Sequence, residues 1–474
     1  MYFKKFLFLF FFYFLIGLSE NKKNSSDSLF NKNNYTWIIT NANKIITKNK
    51  LKKNEIDSIF YQIAKNLENT GYPFSIIEFR YDSIKEKNIY GKIYVERGNL
   101  STIDSIAVKG YNKFPKYLVS RFLEIKKKEK YNQRKINQIT KKFEKNIFVK
   151  EYKKNSVLFN QAKTILFLYL EKKYNNSIDG FIGLNNNQEE TTVYGKINLN
   201  LSNALNLWES INIKWNKMTK NSQELFLNFN FPFIFNSTFL LNTKINILQQ
   251  NNSYTNKEFI SSLELNKNTN FFKLGYLHKR SNTINNYSNN LIKDYRKNLI
   301  ILKWKNKNDF LLKKIKYEIS KEYRIGSSKV SNENNIRQQI KFNFKCELQL
   351  FKKNFLNMNS KNEFLLGNKI LENEKIGIGG TNQIRGFLEN SFFSKSINII
   401  NLENKYFFNK KSYFSFFYDI GKLHDLNTQI ESFGLGLGLD MENDVFLINY
   451  AIPKYNKTIQ INNSKIHFNY ILKF

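Results

Sequence analysis

From Ile178 to the C-terminal phenylalanine, this 474-residue chain alternates polar and apolar residues with a period of two. Val193, Gly195, Ile197, Leu199 and Leu201 alternate with Tyr194, Lys196, Asn198 and Asn200. Leu225, Leu227, Phe229 and Phe231 sit opposite Asn228 and Asn230, and the last segment sets Ile466, Phe468, Tyr470, Leu472 and Phe474 against His467, Asn469 and Lys473. A strand sends successive side chains to opposite faces, so such a segment has one apolar and one polar side. Roughly sixteen segments fit this stretch at about 9–11 residues per strand plus turns. The soluble alternative is an all-β sandwich. The unbroken length of the alternation favours a transmembrane barrel instead, with one face on lipid and the other on a hydrated lumen.

The N-terminus supports export. Lys4 and Lys5 precede an apolar run over residues 6–18, which is too short to span a bilayer as a helix and reads as a secretory signal peptide over residues 1–19. A retained N-terminal anchor is the alternative. Cys346 is the only cysteine, so no intrachain disulfide forms and no lipoprotein cysteine follows the apolar run. A net charge of +36 would ordinarily suggest nucleic acid or an anionic surface as partner. Here the lysines are spread evenly, and Lys, Asn, Ile, Phe and Tyr are inflated at the expense of Gly, Ala, Pro and Arg. That bias is the signature of A+T-rich coding, and nucleic acid is not expected as a partner.

Before the barrel the period changes. Ile56, Ile59, Phe60, Ile63 and Leu67 recur at helical spacing, Gly71 and Pro73 end that helix, and β-prone segments follow at residues 75–81 and 89–95. A second cycle runs strand (102–108), helix from Lys116, a helix marked by Ile136, Ile139 and Phe143, then strands at 156–159 and 164–170. No catalytic centre is expected. Three histidines without metal-ligand spacing exclude a metal site, and the Gly434–Gly438 alternation with leucine is a strand and not a phosphate loop. No cofactor is implied.

The most specific motif is Gly379-Gly380-Thr381-Asn382-Gln383-Ile384-Arg385-Gly386-Phe387, followed by Glu403 in Asn401-Leu402-Glu403 and by Phe417-Tyr418-Asp419-Ile420-Gly421. In this order, ahead of a terminal aromatic strand, these residues resemble the BamA/TamA superfamily of outer-membrane assembly and translocation proteins. The resemblance implies a loop that folds back into a barrel of about 16 antiparallel strands. Arg385 would meet Asp419, Glu403 would hold the acidic position of the intervening strand, and Gly379, Gly380, Gly386 and Gly421 would allow close approach, with Phe387 beside them. An ordinary polar loop tip is the bland alternative. Tyr470 and Phe474 resemble the terminal aromatics of a β-signal, and Gly180 and Gly183 would mark a weakly paired first strand.

The strand–helix–helix–strand–strand order resembles a periplasmic POTRA domain. The implied organisation is a degenerate POTRA-like domain over residues 20–98, a second over 99–174, and an outer-membrane barrel over 175–474. Function follows as an expectation: insertion of β-barrel or autotransporter-like proteins into the outer membrane of a Gram-negative bacterium, without nucleotide. Expected partners are unfolded outer-membrane proteins and outer-membrane lipids, with room for accessory lipoproteins or an inner-membrane partner. The competing readings are a single-client secretion pore and a substrate-selective channel. The sequence leaves open whether the chain is a main assembly factor or a specialised paralogue.

The connections carry expectations of their own. Tight turns are expected at residues 267–269, 409–412 and 441–443, and long polar loops at 279–294, 320–335 and 367–395. Residues 351–360 read as an overlong turn.

Overall fold

A computed structural model describes residues 36–41, 44–50, 53–85, 88–160, 163–187, 190–219, 221–267, 269–284, 291–310, 314–441, 444–456 and 458–473. The expected signal peptide and Phe474 lie outside the described residues. Two compact units divide the chain: Met1–Ala107 with Lys126–Lys141 and Asn155–Phe167, and Val108–Ile125 with Lys142–Lys154 and Leu168–Phe474.

The first region holds a four-stranded sheet in the order Lys44–Lys50, Thr36–Asn41, Asn88–Glu96, Ile76–Lys85, with the helix Lys53–Asn69 between its strands in sequence. Where that helix ends, Gly71 takes a left-handed φ of +103°, as sequence placed the stop. The second cycle is found as strand Ser105–Lys109, helices Lys116–Leu123 and Gln133–Glu144, and strands Val149–Phe159 and Thr164–Lys172. Thr164–Lys172 is the middle strand of a three-stranded sheet, and its Leu166, Leu168 and Leu170 are fully buried. Among the described residues no helix is long and apolar enough to cross a membrane.

From Ser177 onward sixteen long antiparallel strands close into a barrel. The first eight are Ser177–Asn187, Glu190–Ser202, Ser210–Thr219, Ser222–Phe231, Phe239–Gln250, Tyr254–Lys267, Asn270–Thr283 and Tyr295–Phe310. The rest are Ile315–Val330, Glu333–Phe351, Asn354–Leu366, Ser396–Phe407, Tyr413–Leu423, Thr428–Met441, Asp444–Tyr455 and Lys465–Lys473. The two-sided reading of the sequence holds at atomic detail. On Lys465–Lys473, Ile466 and Phe468 are 71% and 54% exposed, while the polar His467 between them accepts from the Gly386 N–H.

Two connections differ from expectation. Residues 320–335, read as a long polar loop, are strand up to Val330 and again from Glu333, joined by a two-residue turn. At 16 and 19 residues these strands exceed the roughly 9–11 needed to cross a membrane. The length beyond a crossing does not need one apolar face, so the apolar alternation can lapse there. The overlong turn read at 351–360 is also absent: Asn354–Leu366 is strand, and the turn is Lys352 and Lys353 alone. Asparagines 357 and 359 gave it a loop-like composition, yet both line a polar cavity inside the barrel.

The inner wall is not uniformly polar. Ile397, Ile399, Leu423 and Ile430 form an apolar patch that buries Ile378 and Ile384 of the long loop. A separate patch joins Ile260, Leu277, Leu299 and Ile301. Transfer of such surface out of water is worth about 25 cal/mol per Å², so the first patch favours the loop inside the barrel independently of its polar contacts.

Candidate functional site: a loop held inside the barrel

The connection between Asn354–Leu366 and Ser396–Phe407 carries a small hairpin, Ile376–Ile378 with Phe392–Ser394, and the Arg385 tip beyond it. Gly379 and Gly380 leave the hairpin with φ of +121° and +85°. A Cβ on Gly379 would lie 2.1 Å from the Leu388 carbonyl oxygen, so no other residue fits there. Gly380 N–H donates to the Phe387 carbonyl at 3.1 Å, closing the tip on itself.

Arg385 and Asp419 form a two-pronged pair. Nε donates to Oδ2 at 2.8 Å and Nη2 to Oδ1 at 2.7 Å, and the Arg385 backbone N–H adds a third bond to Oδ2 at 3.1 Å. Asp419 is fully buried, and the Arg385 side chain is 11% exposed. Fork-to-fork geometry of this kind fixes orientation as well as charge. The guanidinium also lies 3.5 Å above the centre of the Phe417 ring. Asn401 donates to Asp419 Oδ1 at 2.9 Å and to the Gln383 carbonyl at 2.6 Å, so it bridges wall and loop.

Glu403 is a weaker second acceptor, 3.4 Å from Arg385 Nη1, and it also accepts from Ser415 at 2.9 Å. Gly421 leaves room for Ile384, whose Cδ1 would lie 2.3 Å from a Cβ there. Phe387 stacks edge-on against Phe392, and the Gly386 N–H donates to His467 Nε2 on the last strand at 3.1 Å. Thus Gly379, Gly380, Arg385, Gly386, Phe387, Glu403, Asp419 and Gly421 converge on one site. A cavity of about 470 Å³ opens beside it, lined by Arg385, Glu403, Glu318, Glu347, Lys345 and Asn382 among others.

Gly180, Gly183 and Tyr470 sit apart, near the junction of first and last strands. That junction is short: Ser177, Ile178 and Asp179 pair with Lys473, Leu472 and Ile471, and pairing then stops. By contrast, eleven residue pairs join the first strand to the second and eight join the last to its inner neighbour. Gly180 and Tyr470 are the next residues on either side of the stop. Gly180 has φ +147°, and a Cβ there would meet the Lys196 carbonyl oxygen at 2.0 Å. Gly183 lies against the Tyr194 ring. Tyr470 packs 4.8 Å from Phe446 and donates to Asp444 at 3.1 Å.

A second constellation escaped sequence reasoning. Glu374, at the stem of the loop, accepts from Arg337 Nε and Nη2 at 2.8 Å each and from Lys297 Nζ at 2.8 Å. The side chains of Glu374 and Arg337 are fully buried and that of Lys297 is 6% exposed. Arg337 donates further to the carbonyls of Asn368 and Lys369. Neighbouring Asn373 accepts at its carbonyl from Asn256 and Tyr295, each at 3.0 Å, and its side chain donates to Ser281 and to the Lys293 carbonyl. One signal in the sequence pointed here. Only nine of the 75 basic residues are arginine, and although Arg80, Arg280 and Arg296 are exposed, a buried place that needs a planar fork favours arginine over lysine. Arg324, Arg337 and Arg385 all fill such places, Arg324 with Glu322 at 2.6 Å. Among the described residues no cluster of potential ligands suits a metal ion.

No protein-family model and no curated protein sequence matches the chain. Solved structures do. BamA from Haemophilus ducreyi, lacking POTRA domains 1–3, superposes with a TM-score of 0.55 at 13% identity, over 90% of this chain and 94% of that one. CdiB from Acinetobacter baumannii gives 0.57 at 14% identity, over 91% and 83%. CdiB from Escherichia coli gives 0.58 at 9% identity, over 96% and 93%. At these identities the likeness is one of fold, and this chain has the fold of the BamA and CdiB barrels.

Proposed function

We propose that the chain belongs to the BamA/TamA superfamily and acts in the outer membrane of a Gram-negative bacterium, inserting β-barrel or autotransporter-like proteins without nucleotide. One observation carries this reading above others: the three-pair junction between first and last strands. Past Asp179 and Ile471 both strands continue, paired to their other neighbours but not to each other across the junction. An exposed strand edge is a template for another strand, and a membrane offers no water to satisfy it. An incoming unfolded barrel segment supplies those hydrogen bonds, and its own folding provides the driving force. The N-terminal α+β region, read as POTRA-like, would hold such clients on the periplasmic side.

The test is reconstitution of the mature protein into liposomes, followed by addition of a urea-unfolded outer-membrane barrel and its heat-modifiable gel shift. Acceleration over empty liposomes, reduced by Arg385→Ala, is the expected result. A second reading, a single-client secretion pore, draws on the polar cavity beside the loop tip, which would widen into a path if the loop moved. No acceleration, with steady ion conductance instead, would favour that reading.

A further inference from the structure

The inner wall carries a row of charges set by strand register. Glu264, Lys273, Lys303, Glu322, Lys341 and Glu363 stand directly opposite one another, one on each of six adjacent strands from Tyr254–Lys267 to Asn354–Leu366. Contacts with the loop identify the face. Asn256, Ser281 and Lys297 touch it inside the barrel, and Glu264, Lys273 and Lys303 lie at even spacing from them along the same strands. Every step of the row joins opposite charges except one, where Lys273 faces Lys303. Like charges placed directly opposite repel.

Lys244 adds a third cation to that pair. It is half-buried on the same face, opposite Ile260 and Asn228 in register, and it lies within electrostatic reach of both Lys273 and Lys303. Lys273 Nζ reaches across to the same strand, donating to Asn242 Oδ1 at 3.3 Å. The carboxylates nearby are already engaged. Glu264 pairs with Lys273 at 3.3 Å, and Glu322 meets Lys303 with one oxygen at 3.1 Å and Arg324 with the other at 2.6 Å. Glu363 accepts from Lys341 at 2.8 Å and from Gln339 at 2.6 Å. Among the described residues no side chain accepts from Lys244. An excess of ammonium charge on a wall of low dielectric attracts an anion more strongly than the same charge on an open surface.

We propose that Lys244, Lys273 and Lys303 form a lumenal binding site for a small polyvalent phosphate. The anion neutralises the one like-charge step of the row and gives Lys244 the acceptor that the wall lacks. Lysine holds phosphate as a point charge with three rotatable donors, and needs no planar fork to do so. All three side chains belong to the lumenal face, so the ligand arrives from water and not from the bilayer.

The test is titration of the full chain, in neutral detergent micelles at constant ionic strength, with inorganic pyrophosphate. Calorimetry reads binding, and the temperature at which heat-modifiable mobility is lost reads stability. The parent should bind saturably and unfold at a higher temperature with pyrophosphate than without it. Lys244→Met should bind roughly tenfold more weakly and lose the rise in unfolding temperature. Lys303→Gln should behave in the same way, whereas Lys244→Arg, and Lys410→Met on an exposed turn, should match the parent. Without ligand, Lys244→Met should unfold no lower than the parent, because a repelling charge is gone. Absence of saturable binding in the parent, or equal binding by the parent and Lys244→Met, would remove the site. A rise in unfolding temperature that phosphatidylglycerol micelles give the parent but not Lys244→Met would also overturn it, since lipid phosphate would then reach these lysines.

Discussion

Asp419 is where the candidate site is most exposed to a single substitution. Its two carboxylate oxygens take three bonds from Arg385 and one from Asn401 inside a fully buried position. Asp419→Asn keeps the size but removes the charge, leaving a guanidinium that is nine-tenths enclosed facing a neutral amide. Loss of one partner of such a pair costs about 3–5 kcal/mol, which falls on the loop tip. We expect residues 367–395 to become protease-sensitive in Asp419→Asn while the barrel retains its heat-modifiable mobility. Glu403→Gln should do much less, because its 3.4 Å contact is longer and its side chain is 19% exposed. Equal protection in wild type and Asp419→Asn would remove the lock. These residues were legible in sequence because the motif keeps its order. Glu374 and Arg337 were not: they are 37 residues apart, and no local pattern pairs one glutamate with one arginine.

At the scale of elements, the turn between the second and third barrel strands carries the largest fully buried side chain described, Trp208. Phe122, Phe114, Phe148 and Phe233 surround it at centroid distances of 5.0, 5.6, 5.9 and 6.2 Å. Phe148 stacks on the indole and the other three meet it edge-on, and both geometries attract beyond their buried area. Tyr111 reinforces the contact by bonding to Asn203 and Asn206 of the same turn. Trp208→Ala removes the hub, at about 3–5 kcal/mol for a large aromatic truncated in a core. Faster cleavage within residues 108–154, with no change in barrel mobility on gels, is the expected signature. A loss of barrel mobility instead would place Trp208 in barrel folding. Sequence periodicity could not show this. A turn tryptophan has no period, and its partners come from distant segments. The same limit misread residues 320–335, where the strands are longer than a crossing needs and neither face has to be apolar. Strand count and helix positions were legible, because lipid and core impose a pattern on every second or every third to fourth residue.

For the whole molecule, the question is whether the short junction works as a seam. Sixteen strands joined by long ladders leave one place where closure rests on three pairs. Each lost pair leaves backbone groups that must find water, lipid headgroups or another strand. Gly180 deepens the defect, since its left-handed backbone and missing Cβ give the seam nothing to pack. Ile178→Cys and Leu472→Cys, directly opposite one another in register, place a reversible bond across it in a Cys346→Ser background. The control pair Ile448→Cys and Phe468→Cys sits between the last two strands, where pairing is already long. If client strands enter at the seam, oxidising the first pair should abolish acceleration of client folding and reduction should restore it. The control pair should have no effect in either state. A seam-crosslinked protein that folds clients at the wild-type rate would mean that no strand is exchanged there. Any remaining activity would then have to pass through the lumen, beside the loop held there by Arg385 and Asp419.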